Sequence, residues 1–212
     1  LSVNGLIITV DQAQQLVQAH AASTGQLEWE TSYSAHGFAV YALAANSTHV
    51  FAQVDNKVVA FDAATGEIDW FQLVGSGLNA PLLASDDALA FLYNIIGDTA
   101  IQPAGKAGLA MLLPQIGVEN GYILLDPTTG SLRGLITQTA PALLVDNTLF
   151  LYRTVDGAKS ISAYNATTGA LAWTTPVAIQ LQVIAASAEY LLALDTGSNE
   201  LHVFDATDGA FQ

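Results

Sequence analysis

The 212-residue chain is 51% hydrophobic and only 11% charged, a balance that excludes a disordered or fibrous protein and leaves ample apolar material for a core. Its 19 carboxylates against 5 basic residues (Lys57, Lys106, Arg133, Arg153 and Lys159) give a formal net charge of −14, which repels phosphate backbones and argues against nucleic acid as a partner. There is no cysteine, hence no disulfide, thiolate metal site or thiol nucleophile, and no apolar run reaches the roughly 18 residues of a membrane-spanning helix.

The predicted elements, taken in chain order, are short strands separated by turns. No basic segment precedes the first apolar run, so no signal peptide is visible; a mature secreted chain and a cytosolic one both fit. The opening residues read as the second strand of a first unit. Gln12 to Ala22 comes nearest to an amphipathic helix, but its second half, from Leu16-Val17, reads as a strand running into the turn Ser23-Thr24-Gly25. The second unit offers Phe38 to Leu43, Val50 to Val54, the turn Asp55-Asn56, then Val58 to Phe61 before Ala64-Thr65-Gly66. In the third, Tyr122 to Leu125 precedes Thr128-Thr129-Gly130. The fourth runs Ala142 to Val145, Asp146-Asn147, Leu149 to Tyr152, Asp156-Gly157 and Ile161 to Tyr164, then Thr167-Thr168-Gly169. The fifth runs Gln180 to Ala185, Tyr190 to Leu194, Gly197 to Asn199 and Leu201 to Phe204, then Thr207-Asp208-Gly209. Four short strands in about 40 residues match one blade of a propeller.

The repetition is tighter than a shared strand count. Gly25, Gly66, Gly130, Gly169 and Gly209 are spaced by 41, 64, 39 and 40 residues. The chain's 3 Trp residues, Trp29, Trp70 and Trp173, all stand four positions after such a glycine. Asp62, Asp126, Asn165 and Asp205 stand four positions before one, where a side-chain oxygen can accept from turn N–H groups. Thr24, Thr65, Thr129 and Thr168 precede the glycine and can do the same. Glycine supplies the positive φ of the return, and the Trp is large enough to cover a neighbouring sheet face. Two units depart from the pattern: the first has Ala21 at the Asp position, and the third has Gly134 at the Trp position.

The segments VVAFDAATGEIDW (Val58 to Trp70) and ISAYNATTGALAW (Ile161 to Trp173) resemble the motif of PQQ-like repeat propellers, a strand followed by Ala-x-Asp-Ala-x-Thr-Gly and a Trp. The resemblance covers almost the whole chain. It implies an all-β fold, a β-propeller of four-stranded antiparallel blades in one domain over residues 1–212. Members usually carry roughly seven or eight blades, so five repeat units, with Gln212 one residue before a fifth Trp position, are expected to be part of a larger ring. It also implies an extracellular, cell-surface or periplasmic location. A WD-type propeller is disfavoured, since no Trp-Asp dipeptide appears.

No catalytic constellation stands out. His20, His36, His49 and His202 fall in different units without metal-ligand spacing. Serines 23, 34, 76 and 85 lack a nucleophile elbow. Ala104-Gly105-Lys106-Ala107 lacks the Ser/Thr and first Gly of a phosphate loop. Asp86-Asp87 and Asp55-Asn56 read as hairpin turns with solvated carboxylates. The long third unit carries an insertion over residues 96–121, whose apolar residues Leu109, Met111, Leu112 and Leu113 are the candidate partner contact. The expected function is therefore a non-catalytic scaffold for protein–protein interaction or self-assembly, with no cofactor and no metal. One alternative is a structural subunit of an extracellular filament or surface layer. The other, a quinoprotein dehydrogenase using pyrroloquinoline quinone and calcium, is implied only by the family's namesake enzymes.

Overall fold

A computed structural model of the chain describes residues 1–74, 81–94, 103–104, 120–137 and 141–212. Among them the chain forms strands and turns arranged in five antiparallel sheets. The first sheet holds β1 (Ser2–Val3), β2 (Leu6–Asp11), β3 (Leu16–Ala21) and β4 (Leu27–Ser32). The second holds β5 (Val40–Ala45), β6 (His49–Val54), β7 (Lys57–Asp62) and β8 (Ile68–Leu73). The third holds β9 (Leu82–Ala84), β10 (Leu89–Asn94), β12 (Asn120–Leu125) and β13 (Leu132–Ile136), while the short β11 (Pro103–Ala104) pairs with β8. The fourth holds β14 (Ala142–Val145), β15 (Thr148–Val155), β16 (Ala158–Asn165) and β17 (Leu171–Val177). The fifth holds β18 (Leu181–Ala186), β19 (Tyr190–Asp195) and β20 (Leu201–Asp205), with Phe211 joined to Phe204 by an isolated antiparallel bridge.

These sheets are the blades of a β-propeller. Strands follow one another in hairpin order within each blade. Successive blades stack face to face through four separate cores, one in each of the four gaps. The first strands of neighbouring blades run side by side, β5 with β9, β9 with β14 and β14 with β18, which puts them innermost and the motif's return strands outermost. Because both faces of a blade are covered, the middle strands lose the alternation of a half-wet sheet. All of β6 is buried, and Phe51, Phe61, Phe91 and Phe150 are at most 1% exposed. Each such ring contributes on the order of 1.5–3 kcal/mol by leaving water.

Several boundaries differ from the sequence expectation, and in the fourth blade the middle strands run longer than expected, Thr148–Val155 and Ala158–Asn165. The chain does not open on a second strand: Ser2 and Val3 pair with Ile7 and Leu6 across an Asn4-Gly5 turn, so β1 is a short first strand. The first strand of the second blade is Val40–Ala45 instead of Phe38 to Leu43. Phe38 is held before it, its N–H donating to Asp55 Oδ2 at 2.8 Å, and its ring is 83% exposed. Residues 12–15 form a turn closed by Asp11, whose Oδ1 accepts from the N–H groups of Ala13 and Gln14, and β3 follows directly.

Candidate functional site

The repeated residues sit at the seams between blades, and their geometry explains the motif atom by atom. Asp62 Oδ1 accepts from the N–H groups of Ala64 (2.9 Å) and Thr65 (2.8 Å), and the Gly66 N–H donates to the Asp62 carbonyl at 2.9 Å. Asp126, Asn165 and Asp205 repeat this with the N–H groups of Thr128, Thr167 and Thr207. The Oγ1 atoms of Thr24, Thr65, Thr129 and Thr168 each accept from the N–H two residues on, and Asp208 Oδ1 takes that part in the fifth blade. Where Ala21 replaces Asp, the Gly25 N–H still closes the turn on the Ala21 carbonyl at 2.7 Å. The backbone therefore carries the turn, and the carboxylate reinforces it.

Where the turn residue is Asp, this hydrogen bonding favours its charged form. The N–H of Thr65, then the N–H of Ala64 and the Thr65 hydroxyl, hold the Asp62 carboxyl below its usual range. At Asp126, partial burial pushes the carboxyl up. The Arg133 guanidinium, 2.6 Å away, and the turn N–H groups outweigh that push and hold it below the usual range. Arg133 also donates to the Asp87 carbonyl, tying this turn to the inner hairpin of its own blade.

The Trp reaches across the seam to the next blade. Trp29 Nε1 donates to the Ala63 carbonyl at 3.1 Å, Trp70 Nε1 to Pro127 at 3.1 Å and Trp173 Nε1 to Ala206 at 3.0 Å. Each indole thereby lies on the glycine of the next turn. A Cβ added at Gly66 would stand 2.5 Å from Trp29 Cε3, at Gly130 2.5 Å from Trp70 Cε3 and at Gly209 2.5 Å from Trp173 Cε3. Motif Trp and motif Gly thus form a contact between consecutive blades. Thr31 and Thr175, six positions after their glycines, add a second bond across the seam, their Oγ1 atoms donating to the carbonyls of Gly66 (2.7 Å) and Gly209 (2.8 Å). The sequence register extends to these threonines, but reading the motif only as far as the Trp misses them.

Gly134 changes the third seam. A Cβ there would meet the Thr168 carbonyl at 3.2 Å and Gly169 Cα at 3.4 Å, so backbone approaches backbone where a Trp would otherwise lie. Ala90 stands in register with Phe51 and Phe150, so the small residues come as a set.

The inner hairpins also join blade to blade. Asn4 Nδ2 donates to the Ser47 carbonyl (2.6 Å), Asn46 Nδ2 to that of Ser85 (3.0 Å), and the Ser47 N–H to Asp86 Oδ1 (2.7 Å). Asp86 is therefore a clasp on the neighbouring blade and Asp55 a clasp on residues 38 and 39; neither carboxylate is merely solvated. Asn46 is 8% exposed, with its side chain engaged at both ends.

The four histidines stay apart, and among the described residues no three His, Asp or Glu side chains converge as a cation site requires. Leu109, Met111, Leu112 and Leu113 lie outside the described residues. Pro103 and Ala104, within the insertion, pair with Gln72 and Phe71 on the outer edge of the second blade. No described helix is long and apolar enough to cross a membrane.

Comparison with known proteins agrees with this geometry. Among solved structures, BamB from Moraxella catarrhalis superposes with a TM-score of 0.53 at 14% identity, covering 99% of this chain and 70% of that one. The dihydro-heme d1 dehydrogenase NirN, in complex with DHE, gives 0.63 at 15% identity, covering 100% of this chain and 44% of that one. A europium-containing methanol dehydrogenase gives 0.54 at 14%, covering 100% and 49%. The chain thus spans less than half the length of either dehydrogenase, and identities this low speak to the fold alone. No curated protein matches. A family model described as outer membrane protein assembly factor BamB matches residues 2–212, and the chain belongs to that PQQ-repeat family.

Proposed function

We propose that the chain is a non-catalytic propeller that acts as a scaffold for protein–protein assembly at the outer membrane, on its periplasmic side. The observation that carries this reading is the match of the whole repeat to a family described as an assembly factor. The seam chemistry supports it. The motif carboxylates are engaged by turn N–H groups and the indoles by carbonyls of the next blade, so the recurrent polar residues build the scaffold instead of facing a substrate. The test is cross-linking of the protein in its native envelope, with partners identified by mass spectrometry and the complex sized in solution. A stoichiometric complex with outer-membrane assembly components is expected. A lone monomer at high concentration with no cross-linked partner overturns the reading. Reduction of an electron-acceptor dye, dependent on added pyrroloquinoline quinone and calcium, moves the chain to the dehydrogenase class.

A further reading concerns the ring. Val17, Val58, Tyr122 and Ile161, eight positions before their glycines, are all 0% exposed, each on a blade face covered by the next blade. Leu201 holds that position in the fifth blade and is 55% exposed. This face has the composition of a blade interface, which supports a single propeller domain of more than five blades, with another blade covering Leu201. Class averages of the native protein by electron microscopy test it: a ring of more than five blades is expected, a closed five-bladed ring refutes it, and end-to-end stacks of copies indicate the filament alternative.

A further inference from the structure

The second and fourth blades carry the same frame and fill it differently. Counting along the paired strands, Thr148 stands where His49 stands, each opposite the first residue of its motif turn (Asn165 and Asp62). By the same register Phe150 matches Phe51, Ala163 matches Ala60, Trp173 matches Trp70, and Ala172 matches Asp69. The aromatic walls also share a geometry: the Phe51–Trp70 centroids are 5.8 Å apart at 41°, and those of Phe150–Trp173 are 6.0 Å apart at 48°.

In the second blade this frame holds an imidazole. The His49 ring stacks on Phe51 at 5.7 Å, with Nε2 3.0 Å from Asp69 Oδ2 and Nδ1 2.8 Å from Thr48 Oγ1, and the residue is 7% exposed. In the fourth blade the smaller Thr148 and Ala172 leave a pocket of about 200 Å³ between the fourth and fifth blades. Phe150 and Trp173 form its apolar wall; Asp146, Thr148, Ser187 and Thr207 supply polar groups. Among the described residues, neither the Asp146 carboxylate nor the Thr148 hydroxyl makes a hydrogen bond. The remaining seams keep no such frame. Leu6 takes the His49 position in the first blade, and in the third Ala88, Ala90 and Gly134 let the blades close on each other. The volume lies below the roughly 300 Å³ at which drug-sized sites begin, so the pocket suits one ring or one side chain.

We propose that the pocket between the fourth and fifth blades binds a single imidazole ring, stacked on Phe150 as His49 stacks on Phe51, with a ring N–H donated to the Asp146 carboxylate. The chain's strong negative charge favours such a donor. Free imidazole-bearing small molecules and a histidine side chain on a peptide share this chemistry. The site stands independently of the scaffold reading.

The experiment is an NMR titration of the native protein with imidazole and, separately, with N-acetyl-histidine methylamide. Saturable shifts of the Trp173 indole N–H and the Ala172 amide are expected, with the Trp29 and Trp70 indoles unmoved. Thr148→His combined with Ala172→Asp, which rebuilds the second-blade arrangement, is expected to weaken binding at least tenfold. Asp146→Asn, which suits the same left-handed turn position (φ 48°), is expected to weaken it several-fold without disturbing the fold. Binding of imidazole but not of the amide assigns a free small molecule; binding of both assigns a histidine side chain. Shifts that do not saturate, that move Trp70 equally, or that survive both variants unchanged overturn the proposal.

Discussion

Alanine at Gly66 and at Gly169 separates the two demands that the motif glycine meets. Both positions are left-handed, φ +75° and +73°, but they differ in what lies above them. At Gly66 the new methyl would stand 2.5 Å from the Trp29 ring; at Gly169 the nearest atoms are 3.7 Å away, because Gly134 has no side chain there. The backbone term alone costs an L-residue about 1–2 kcal/mol, less about 0.4–1 kcal/mol from the restricted unfolded chain. Gly169→Ala is therefore expected to cost about 1 kcal/mol. Gly66→Ala adds displacement of the indole, about 1–3 kcal/mol as overpacking, and weakening of the Trp29–Ala63 hydrogen bond, about 1 kcal/mol. Urea unfolding followed by circular dichroism should then show Gly66→Ala less stable than Gly169→Ala by about 2–4 kcal/mol. Hydrogen exchange should accelerate first in β4 and β7, on either side of that seam. Equal losses for the two variants would refute the seating of the Trp on the glycine.

Trp70→Phe keeps an aromatic ring in the seam but removes the donor to Pro127, so a loss of about 1 kcal/mol or slightly more is expected in the same assay; Trp70→Ala should cost about 3–5 kcal/mol. Gly134→Trp restores the repeat consensus, yet it should destabilise by about 1–3 kcal/mol, because the blades already meet through backbone at that point. Acid should weaken the fold through the turn carboxylates. The folded pKa of Asp62 is lowered, first by the Thr65 N–H, and that of Asp205, first by the Thr207 hydroxyl. Their contribution is complete above the ordinary carboxylate pKa of 3.8 and is lost as pH falls through the depressed values. Asp62→Asn, the residue that the fourth blade already carries at Asn165, should flatten the loss of stability below about pH 4 measured by thermal melts, and an unchanged acid limb would refute the assignment.

The blades were legible in the amino-acid sequence alone, because their signals are local. An Asp or Asn four residues before a glycine, a Thr or Asp just before it and apolar runs between turns all act within a few bonds of one another, and the hairpins at Asp62, Asp126, Asn165 and Asp205 have that form. Membership in the repeat family followed from the same residues. The seams were only half legible. The Trp register predicted contact between blades, but not that the indole lies on the next glycine, nor that Thr31 and Thr175 add a second bond, nor that Gly134 brings backbone against backbone. Those facts depend on pairs far apart in the chain, such as Trp29 with Ala63 and Trp173 with Ala206, whose distance and angle no local pattern encodes. The pocket beside Phe150 and Trp173 belongs wholly to the tertiary structure. A threonine and an alanine carry no signal until the blades stack and leave open the space that His49 and Asp69 fill two blades earlier.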